Sequence, residues 1–405
     1  MKHIFICGAK SIGQYGGYET FVHNLAIYSE NFPEVKLHIL CKANGEGAMD
    51  ERKLADAKPI GPNEFEFHGA HCVKIAVPSL GPATAIWYDK AAVEYCLRYC
   101  EQNHIQEPIF YILTCRIGPF IAGLKRKIKK LNGQLFLNPD GHEWLRQKWP
   151  RPVRKYWKIS EQQMVRSADL VICDSVNIEK YIKENYKQYS PRTTYISYGA
   201  ELKPSPLPDS AKPYRQVMQQ NGLTAGEYYL VVCRFVPENN IETILREFMH
   251  TKTTKKLLVI ATPNEKLYQS MDQRLHFSQD PRIVFPGVIY DTALLRKLRE
   301  NAFAYLHGHE VGGTNPSLLE GLSATNLNLL LDVPFNREVA LDTALYWTKT
   351  PGSLAACLQK AEAMPEEARS AMGVLAKERI RTAYSWPQIA QQYRSIWNWK
   401  PAQKG

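Results

Sequence analysis

The 405-residue sequence contains no apolar run that approaches the roughly 20 residues needed to cross a membrane. Its first residues, from Met1 to Gly8, lead directly into an apolar strand and a glycine loop, unlike a secretion signal. The nine cysteines are odd in number and scattered, and only Cys96 and Cys100 are close together. These absences exclude a membrane-spanning protein, a disulfide framework and a zinc site built on paired cysteines. We therefore expect a cytoplasmic protein with reduced, buried thiols.

The glycine-rich loop after the first strand lacks the spacing of a dinucleotide-binding loop. Its glycines, at positions 8, 13, 16 and 17, do not form the pattern Gly-x-Gly-x-x-Gly. No acidic residue ends a following strand, where a dinucleotide site needs one to bind a ribose. The sequence therefore excludes a dehydrogenase of the Rossmann type.

The composition is that of an ordinary globular protein, with 44% hydrophobic and 22% charged residues. The chain is too long for one core of the usual size, and strands alternate with helices in both halves, which predicts two doubly wound, Rossmann-like α/β domains. Four prolines between Pro204 and Pro213 predict a linker that divides residues 1–200 from 201–384. A last helix at 385–400 has an apolar face that must be buried elsewhere.

The hydrophobic pattern predicts strands at 3–7, 36–41, 73–77, 109–113, 134–138, 170–173, 194–197, 228–234, 256–261, 282–285, 302–306 and 328–331. It predicts helices from 19 onward and at 83–103, 153–168, 177–186, 241–248, 294–301, 317–324 and 386–397. The polar stretch from about 42 to 62 is predicted to be a mobile loop.

Residues 307–321 join an apolar strand, a glycine turn and a helix. In such a unit the amide groups at the helix start and the helix dipole form an anion site, and Gly312 and Gly313 let the backbone approach a phosphate. Glu320 follows about one helical turn later, where a carboxylate would repel phosphate but can accept hydrogen bonds from sugar hydroxyls. This predicts a sugar-nucleotide site, with a plain turn and a solvated glutamate as the alternative.

Polar residues also follow two other predicted strands. Arg234 ends its strand just before a helix, where a permanently charged guanidinium suits a diphosphate, although a surface ion pair is the alternative. Asn239 or Asn240 is a reasonable N-cap for that helix. Asp140 follows the fifth predicted strand, and open α/β sheets bind ligands at the carboxyl ends of their strands. A helix N-cap is the alternative role for Asp140.

The net charge of +11 is concentrated in one segment. Residues 116–158 contain twelve basic and two acidic residues, interleaved with three tryptophans and one tyrosine. Cations mixed with amphipathic aromatic residues are typical of a protein that rests on an anionic membrane surface. Nucleic acid is the competing partner, but no nucleic-acid-binding motif accompanies the patch. The remaining alternative is a solvated basic helix around 125–130.

Short motifs in both halves carry a resemblance to a known family. In chain order, residues 234–240, 282–287, 312–320, 335–339 and 384–390 resemble landmarks of glycosyltransferase family 4. Residues 16–20, 140–144 with the Lys148-Trp149 pair, and 313–317 are most similar to bacterial rhamnosyltransferases of cell-wall or capsular polysaccharide synthesis, of the β-1,4 type. The resemblance covers essentially the whole chain. It implies the GT-B fold, in which an acceptor-binding and a donor-binding Rossmann-like domain face each other across a cleft.

The resemblance also implies a role for individual residues. In the second half it implies a donor site formed by Arg234 for the diphosphate, the backbone of Gly313, Thr314 and Asn315 for the phosphate, and Glu320 for the ribose. It further places Gly16 and Gly17 of the first half at the donor.

Two donor positions depart from the family pattern. Asn239 stands where members often have a lysine, and Gly312 stands where they have the first glutamate of a Glu-x7-Glu motif. A contact to the donor sugar is therefore missing or is supplied by His309 or Glu310, and Asn239 remains a candidate residue of the donor site.

The implied reaction is a retaining transfer of L-rhamnose from dTDP-rhamnose to a GlcNAc-diphosphate-polyprenyl lipid, with a UDP-sugar as the alternative donor. No Asp-x-Asp motif brackets a strand end, so we expect no metal cofactor and a diphosphate held by Arg234 and helix amides. The family's histidine at the end of the fifth strand falls near Asp140. Asp140 and His142 are therefore the candidate catalytic residues.

A lipid-linked acceptor cannot leave the bilayer, so we expect a peripheral protein on the inner face of the plasma membrane and no nucleic-acid partner. The candidate residues for membrane and acceptor contact are Lys125, Arg126, Lys129, Trp144 and Arg154. Two other classes stay open. A phosphorylase would need a lysine for pyridoxal phosphate in a glycine-rich C-terminal context, and none is present, whereas a non-catalytic partner subunit would keep the fold without turning over a donor.

Overall fold

The computed structural model describes residues 1–14, 16–146, 149–262 and 264–398. The chain separates into two compact units. The first consists of Met1–Tyr198 together with Trp386–Gly405, and the second consists of Gly199–Ser385. Each unit contains one mainly parallel sheet with helices in its crossover connections, which confirms the prediction of two Rossmann-like α/β sheets.

The first unit has nine strands and six α-helices among the described residues. The strands are β1 (Lys2–Cys7), β2 (Val35–Lys42), β3 (Lys58–Gly61), β4 (Glu64–Phe67), β5 (Ala70–Ile75), β6 (Ile109–Leu113), β7 (Gln134–Asn138), β8 (Leu170–Cys173) and β9 (Thr193–Tyr195). The helices are α1 (Gly17–Ser29), α2 (Thr84–Gln102), α3 (Gly118–Lys130), α4 (Arg151–Ser167), α5 (Val176–Asn185) and the last helix of the chain, α14 (Trp386–Trp397). The strand order is β3-β4-β5-β2-β1-β6-β7-β8-β9.

The centre of this sheet is covered on both faces. Every residue of β6 and of β8 is buried, as expected for parallel strands between two helical layers. The last helix belongs to this unit, because α14 packs against α1 and the hydroxyl groups of Tyr393 and Tyr111 lie 2.9 Å apart. Trp397 is completely buried. The apolar face of α14 is therefore part of the core of the first unit.

The second unit has six strands and eight α-helices among the described residues. The strands are β10 (Tyr228–Arg234), β11 (Lys256–Thr262), β12 (Ile283–Val284), β13 (Ala304–His307), β14 (Asn328–Leu331) and β15 (Leu345–Trp347). The helices are α6 (Lys212–Gln220), α7 (Ile241–Met249), α8 (Glu265–Leu275), α9 (Thr292–Glu300), α10 (Pro316–Ala324), α11 (Pro334–Ala340), α12 (Ser353–Ala363) and α13 (Glu366–Ala383). The strand order is β12-β11-β10-β13-β14-β15, and all five pairs of neighbouring strands are parallel within the described residues.

Alternate residues of β10 enter the two apolar cores that flank this sheet. Tyr229 and Val231 pack in one core with Phe248 of α7, while Tyr228 and Leu230 pack in the other with the helix α9. Side chains of a strand alternate between the two faces of its sheet, so one apolar strand supplies both cores. Because β10 and β13 are neighbouring parallel strands, their carboxyl ends lie side by side.

The structure differs from the sequence prediction in three respects, which concern one predicted loop, several unpredicted elements and one helix cap. The stretch predicted as a loop at 42–62 contains β3, whose four residues are all exposed and therefore give no apolar alternation. The elements β4, α6, α8, α11, α12, α13 and β15 were not predicted, and α3 was expected only as a basic helix around 125–130. Asn240 does occupy the N-cap position of α7, but it has a left-handed backbone and no side-chain capping bond, since Nδ2 donates to Gly308 O.

All nine cysteines are free thiols, and eight of them are buried, as predicted. Cys233 is partly exposed. Burial raises the pKa of the Cys41 and Cys173 thiols, which keeps them protonated and unreactive. Within the described ranges, none of the helices has both the length and the apolar composition that crossing a bilayer requires.

Candidate functional site

The loops that follow β10 and β13 are fastened together by side-chain bonds. Asn239 donates from Nδ2 to the carbonyl oxygen of Arg234 at 2.6 Å, and its Oδ1 lies 2.7 Å from Nδ1 of His309. Because the amide oxygen can only accept, His309 carries its proton on Nδ1. Asn239 is 5% exposed, so it links the two loops instead of reaching toward a phosphate. The prediction that Asn239 belongs to the donor site therefore stands with its side chain already bonded to both loops.

The backbones of these two loops also approach each other closely. Asn240 Nδ2 donates to Gly308 O at 2.9 Å, and the N–H of Glu310 donates to Glu238 O at 3.1 Å. A β-carbon at Gly308 would collide with the carbonyl oxygen of Asn239. Glycine is therefore required at position 308, and the loops form one rigid rim at the carboxyl edge of the sheet.

Arg234 lies at this rim with its side chain exposed. No described residue bonds its guanidinium group, so the alternative of a surface ion pair finds no partner in the described part of the chain. Glu310 is different, because its carboxylate lies 2.6 Å from Nζ of Lys349. Contact between Glu310 and a donor sugar would have to compete with this ion pair.

The start of α10 limits which amide groups can bind a phosphate. Asn315 caps the helix by accepting the N–H of Ser317 at 2.9 Å, and Pro316 has no N–H. The hydroxyl of Ser317 donates to Val232 O and fixes the helix to β10. Amide donors for an anion must therefore come from the turn before the helix, where Gly313 and Thr314 are buried and Gly312 has φ 128.

Glu320 of α10 has a partner that the sequence did not reveal. Its Oε2 lies 2.5 Å from Nη2 of Arg299, the residue before the last of α9. The Arg299 side chain is 4% exposed, whereas that of Glu320 is 41% exposed. Glu320 is thus the counter-ion of a buried guanidinium and still presents part of its carboxylate to solvent.

A pocket beside the rim was missed by sequence reasoning. It has a volume of about 200 Å³ and lies next to Arg234, at the carboxyl ends of β10 and β11. Its lining is formed by Phe235, Val259, Ala261, Thr262, Asn264, Glu265, Tyr268, Phe285, Gly287 and Val288. The motifs 234–240 and 282–287 contribute Phe235, Phe285 and Gly287 to this lining.

His307 ends β13 beneath the glycine turn and is 3% exposed. Its Nδ1 lies 3.3 Å from the hydroxyl of Tyr305, and its Nε2 is buried with no partner among the described residues. Burial lowers the pKa of His307 to about 3. The ring is therefore neutral at pH 7.

Replacing His307 by glutamine should reduce the acid sensitivity of the fold. A histidine whose pKa is lowered on folding destabilises the protein as the pH falls from 6.5 toward the folded-state pKa, because only the unfolded chain then takes up the proton. Between pH 7 and pH 5 the wild type should lose about 2 kcal/mol more of its unfolding free energy than the variant. Denaturant unfolding at both pH values measures this, with the exposed His104→Gln as control. Parallel pH curves for wild type and His307→Gln would contradict it.

In the first unit, the ends of β6 and β7 carry strained backbone. Thr114, Asp140 and His142 have φ values of 80, 60 and 49, in the left-handed region that non-glycine residues rarely adopt. Such residues cost about 1–3 kcal/mol each and are concentrated at functional sites. Asp140 is not a helix N-cap, since His142 occupies that position before a short 3₁₀ helix. The carboxyl edge of this sheet is therefore the candidate site of the first unit.

The glycine loop of the first unit is tied to the same edge. Gly16 precedes α1 and Gly17 begins it. The hydroxyl of Tyr18 donates to Asn138 Oδ1 at 3.4 Å, and the same oxygen accepts the N–H of Asp140 at 2.9 Å. Gly16 and Gly17 thus lie in a different unit from the other predicted donor residues and near the Asp140 loop.

An aromatic cage holds Lys158 beside His142. The ammonium nitrogen lies 4.5 Å from the ring of Trp144 and 5.0 Å from the rings of both Tyr181 and Tyr186. The His142 ring packs edge-on against Tyr181 at 4.2 Å. Burial, followed by the charge of Lys158, lowers the pKa of His142 to about 4, so that it is a neutral imidazole at pH 7.

Several cations of the basic segment are not at the surface. Lys125 is 9% exposed and forms an ion pair with Asp169, so the expectation that it contacts a membrane is wrong. Trp144 is half-buried in the Lys158 cage, and the half-buried Arg154 donates to its carbonyl oxygen at 2.8 Å. Arg126 and Lys129 are exposed as predicted. Lys148 lies outside the described residues, as do residues 399 and 400 of the predicted last helix.

The two basic helices α3 and α4, which pack against each other, nevertheless carry a set of exposed cations. They are Arg126, Lys127, Lys129 and Lys130 of α3 and Arg151, Lys155 and Arg166 of α4. The α3 sequence has no acidic residue, and the one acidic residue of α4, Glu161, is 4% exposed. Ile159 is 44% exposed on α4. We call this surface the α3–α4 face.

Comparisons with known proteins agree with this architecture. Residues 1–201 match a family described as a domain of unknown function (DUF1972), and the curated proteins include no match. Among solved structures, sucrose-phosphate synthase from Thermosynechococcus elongatus is 16% identical over 98% of both chains, with a TM-score of 0.72.

Two further similar structures contain nucleotides. A trehalose-6-phosphate protein from E. coli bound with UDP-2-fluoro glucose is 10% identical over 99% of this chain and 100% of that chain, with a TM-score of 0.73. HepE from Anabaena in complex with UDP is 14% identical over 98% and 99%, with a TM-score of 0.67. The two parallel Rossmann-like sheets of this chain therefore form a GT-B fold.

Proposed function

We propose that the protein is a glycosyltransferase that takes its donor from a nucleoside diphosphate sugar. The observation that carries the proposal is the combination, within the second unit, of the Arg234 guanidinium, the neighbouring aromatic pocket and the Glu320 carboxylate. A nucleotide sugar needs a cation for its diphosphate, an apolar slot for its base and an acceptor for its ribose hydroxyls. The similar GT-B structures with UDP and UDP-2-fluoro glucose support this class of ligand.

The pocket suits a nucleobase. Phe235, Tyr268 and Phe285 supply apolar and aromatic surface, and the centroids of the last two rings lie 5.3 Å apart. Thr262, Asn264 and Glu265 supply the polar side chains of the lining, and such a mixture of apolar walls with a few polar groups is typical of small-molecule sites. The register places Arg234 directly beside Thr262, so a base in the pocket would put its diphosphate close to the arginine.

We propose dTDP-rhamnose as the donor, from the resemblance to rhamnosyltransferases, with a UDP-sugar as the second candidate. The expected reaction retains the configuration of the sugar and needs no metal, with the diphosphate charge met by Arg234 and the amides of the glycine turn. Asp140 and His142, at the strained edge of the first unit, are the side chains proposed to lie nearest the acceptor. With its pKa of about 4, His142 would be a neutral imidazole at pH 7, available as a hydrogen-bond partner for the acceptor but only weakly basic.

The protein should be stabilised against heat by dTDP more than by UDP or GDP at equal concentration. A ligand at 100 times its dissociation constant adds about 2.7 kcal/mol of stability, which gives a readily measured shift in melting temperature. Thermal unfolding with each nucleotide at 1 mM makes the comparison, and thymidine is the control that lacks the diphosphate. An equal shift with all three diphosphates would remove the thymidine preference. A melting temperature that none of them changes would contradict nucleotide binding itself.

We propose a lipid-linked sugar as the acceptor, which the protein reaches by docking on an anionic membrane through the α3–α4 face. Each lysine or arginine near such a surface contributes about 1 kcal/mol, so the seven exposed cations of this face exceed what reversible binding needs. The near absence of exposed carboxylates on the two helices removes the repulsion that usually weakens such patches.

The protein should sediment with phosphatidylglycerol vesicles but not with phosphatidylcholine vesicles. Binding should weaken between 0.1 M and 1 M salt, as the Debye length falls from about 10 Å to about 3 Å. Replacing Arg126, Lys129, Lys130 and Lys155 by alanine should abolish most of it. The matched control replaces four exposed lysines of the second unit, Lys203, Lys212, Lys252 and Lys360, which changes the net charge equally. Equal binding by both quadruple variants would show that total charge, and not this face, attracts the membrane.

A further inference from the structure

We propose that Arg299 is a positioning residue of the donor site, which holds the Glu320 carboxylate in the orientation that receives a hydroxyl of the nucleoside sugar ring. This inference rests on the proposed function and deepens it. The nucleotide does not need to touch Arg299, whose side chain is 4% exposed.

The contact between the two residues is specific. Nη2 of Arg299 lies 2.5 Å from Oε2 of Glu320, and within the described ranges no other carboxylate is within ion-pair distance of this guanidinium. Nε of Arg299 is buried without a partner. The arginine therefore depends on Glu320 for the one ionic bond that compensates its burial.

The same contact leaves part of the carboxylate available. Oε1 of Glu320 makes no hydrogen bond to any described residue, and the side chain is 41% exposed. A free glutamate side chain loses rotamer entropy when it is ordered by a ligand. A glutamate that is already held by a buried arginine avoids that loss at the moment of binding, which is how preorganisation raises affinity.

Stability alone is a poor explanation for this pair. Replacing a buried ion pair by apolar residues is often neutral or stabilising, because the desolvation of the charges offsets their attraction. The neighbouring Arg296 on α9 shows what a structural arginine looks like in this fold. It bonds Glu300, the hydroxyl of Ser323 on α10 and the backbone oxygen of Glu201. Arg296 thus fastens the same two helices without touching Glu320.

The test compares two ligands that differ by one hydroxyl, dTDP and 3′-deoxy-dTDP, by titration calorimetry. The wild type should bind dTDP at least tenfold more tightly than 3′-deoxy-dTDP. This ratio of affinities is the range expected for a hydrogen bond to a charged group. In Arg299→Met this ratio should fall below about threefold, because the carboxylate is no longer held. Arg299→Lys should recover part of the ratio, since it keeps the charge without the planar fork.

Arg296→Met is the matched control, with the same change of charge and side-chain length on the same helix. It should lower the melting temperature and leave the tenfold ratio intact. A tenfold ratio that persists in folded Arg299→Met would overturn the positioning role while leaving nucleotide binding in place. A wild type that binds neither ligand would instead refute the proposed donor site, and with it this inference.

Discussion

Replacing Arg234 by alanine should weaken dTDP binding and lower the catalytic rate on the nucleotide sugar about thirtyfold or more. The guanidinium is exposed at the carboxyl end of β10, and its loss would remove a charge-assisted hydrogen bond to phosphate of about 2 kcal/mol. The melting temperature without ligand should not change, because no described residue bonds this guanidinium. Arg234→Lys should be intermediate, since lysine keeps the charge but cannot bind in a bidentate fashion.

An exposed arginine elsewhere in the second unit, Arg215, provides the control. Arg215→Ala makes the same change in net charge away from the rim and should bind dTDP like the wild type. Normal affinity in Arg234→Ala, or an equal loss in both variants, would contradict the assignment of the diphosphate site.

Replacing Glu320 by glutamine should destabilise the protein as well as weaken nucleotide binding. The change removes the charge that compensates the buried Arg299, and leaving a buried cation without its partner costs about 2 kcal/mol or more of the unfolding free energy. The sequence alone predicts that this variant loses turnover without unfolding, because Glu320 is expected to face the cleft. The ion pair in the structure adds a loss of stability to that prediction.

The double variant Glu320→Gln, Arg299→Met separates the two effects. It should be more stable than Glu320→Gln, because the uncompensated buried cation is gone, yet its affinity for dTDP should stay low. Denaturant unfolding and calorimetry on the same samples give both quantities. A single variant as stable as the wild type, or a double variant less stable than the single, would show that Arg299 does not depend on Glu320.

The elements that could be predicted from the sequence are those with a clear periodicity of apolar residues or with clear polar or glycine boundaries. The strands at 109–113, 134–138, 170–173, 228–234 and 328–331 agree with the structure residue by residue, and the last helix is found at Trp386–Trp397, within the predicted 385–400. Short runs of apolar, β-branched or aromatic residues with polar or glycine boundaries leave little freedom in where such strands end. The four residues of β3 are all exposed and give no apolar alternation, and the helices after β14 carry weaker periodic patterns.

The candidate site was also only partly predictable from the sequence. Position relative to a strand end was enough to find Arg234, Asp140 and the glycine turn, since a parallel sheet brings its carboxyl ends to one edge. The partners of those residues were not visible. Nothing in the local sequence indicates that Asn239 would link two loops, that Lys125 would pair with Asp169, or that Arg299 would bond Glu320.

The basic segment shows why charge alone does not define a surface. Its twelve cations follow one another closely in sequence. Lys125 nevertheless forms an ion pair with Asp169, and Lys158 lies in an aromatic cage. Arg116 is held by the buried Asp89 at 3.0 Å. Only the helical geometry decides which of the remaining cations form the α3–α4 face.

Product formation is the most direct test of whether the protein transfers a sugar from a nucleoside diphosphate. Purified protein is incubated with a panel of sugar nucleotides and a synthetic lipid-diphosphate GlcNAc, and the products are analysed by mass spectrometry. We expect one added deoxyhexose from dTDP-rhamnose, dTDP release in equal amount, and little or no product with Arg234→Ala. No product from any donor, with a folded protein that binds dTDP, would contradict the enzyme and favour a non-catalytic partner subunit.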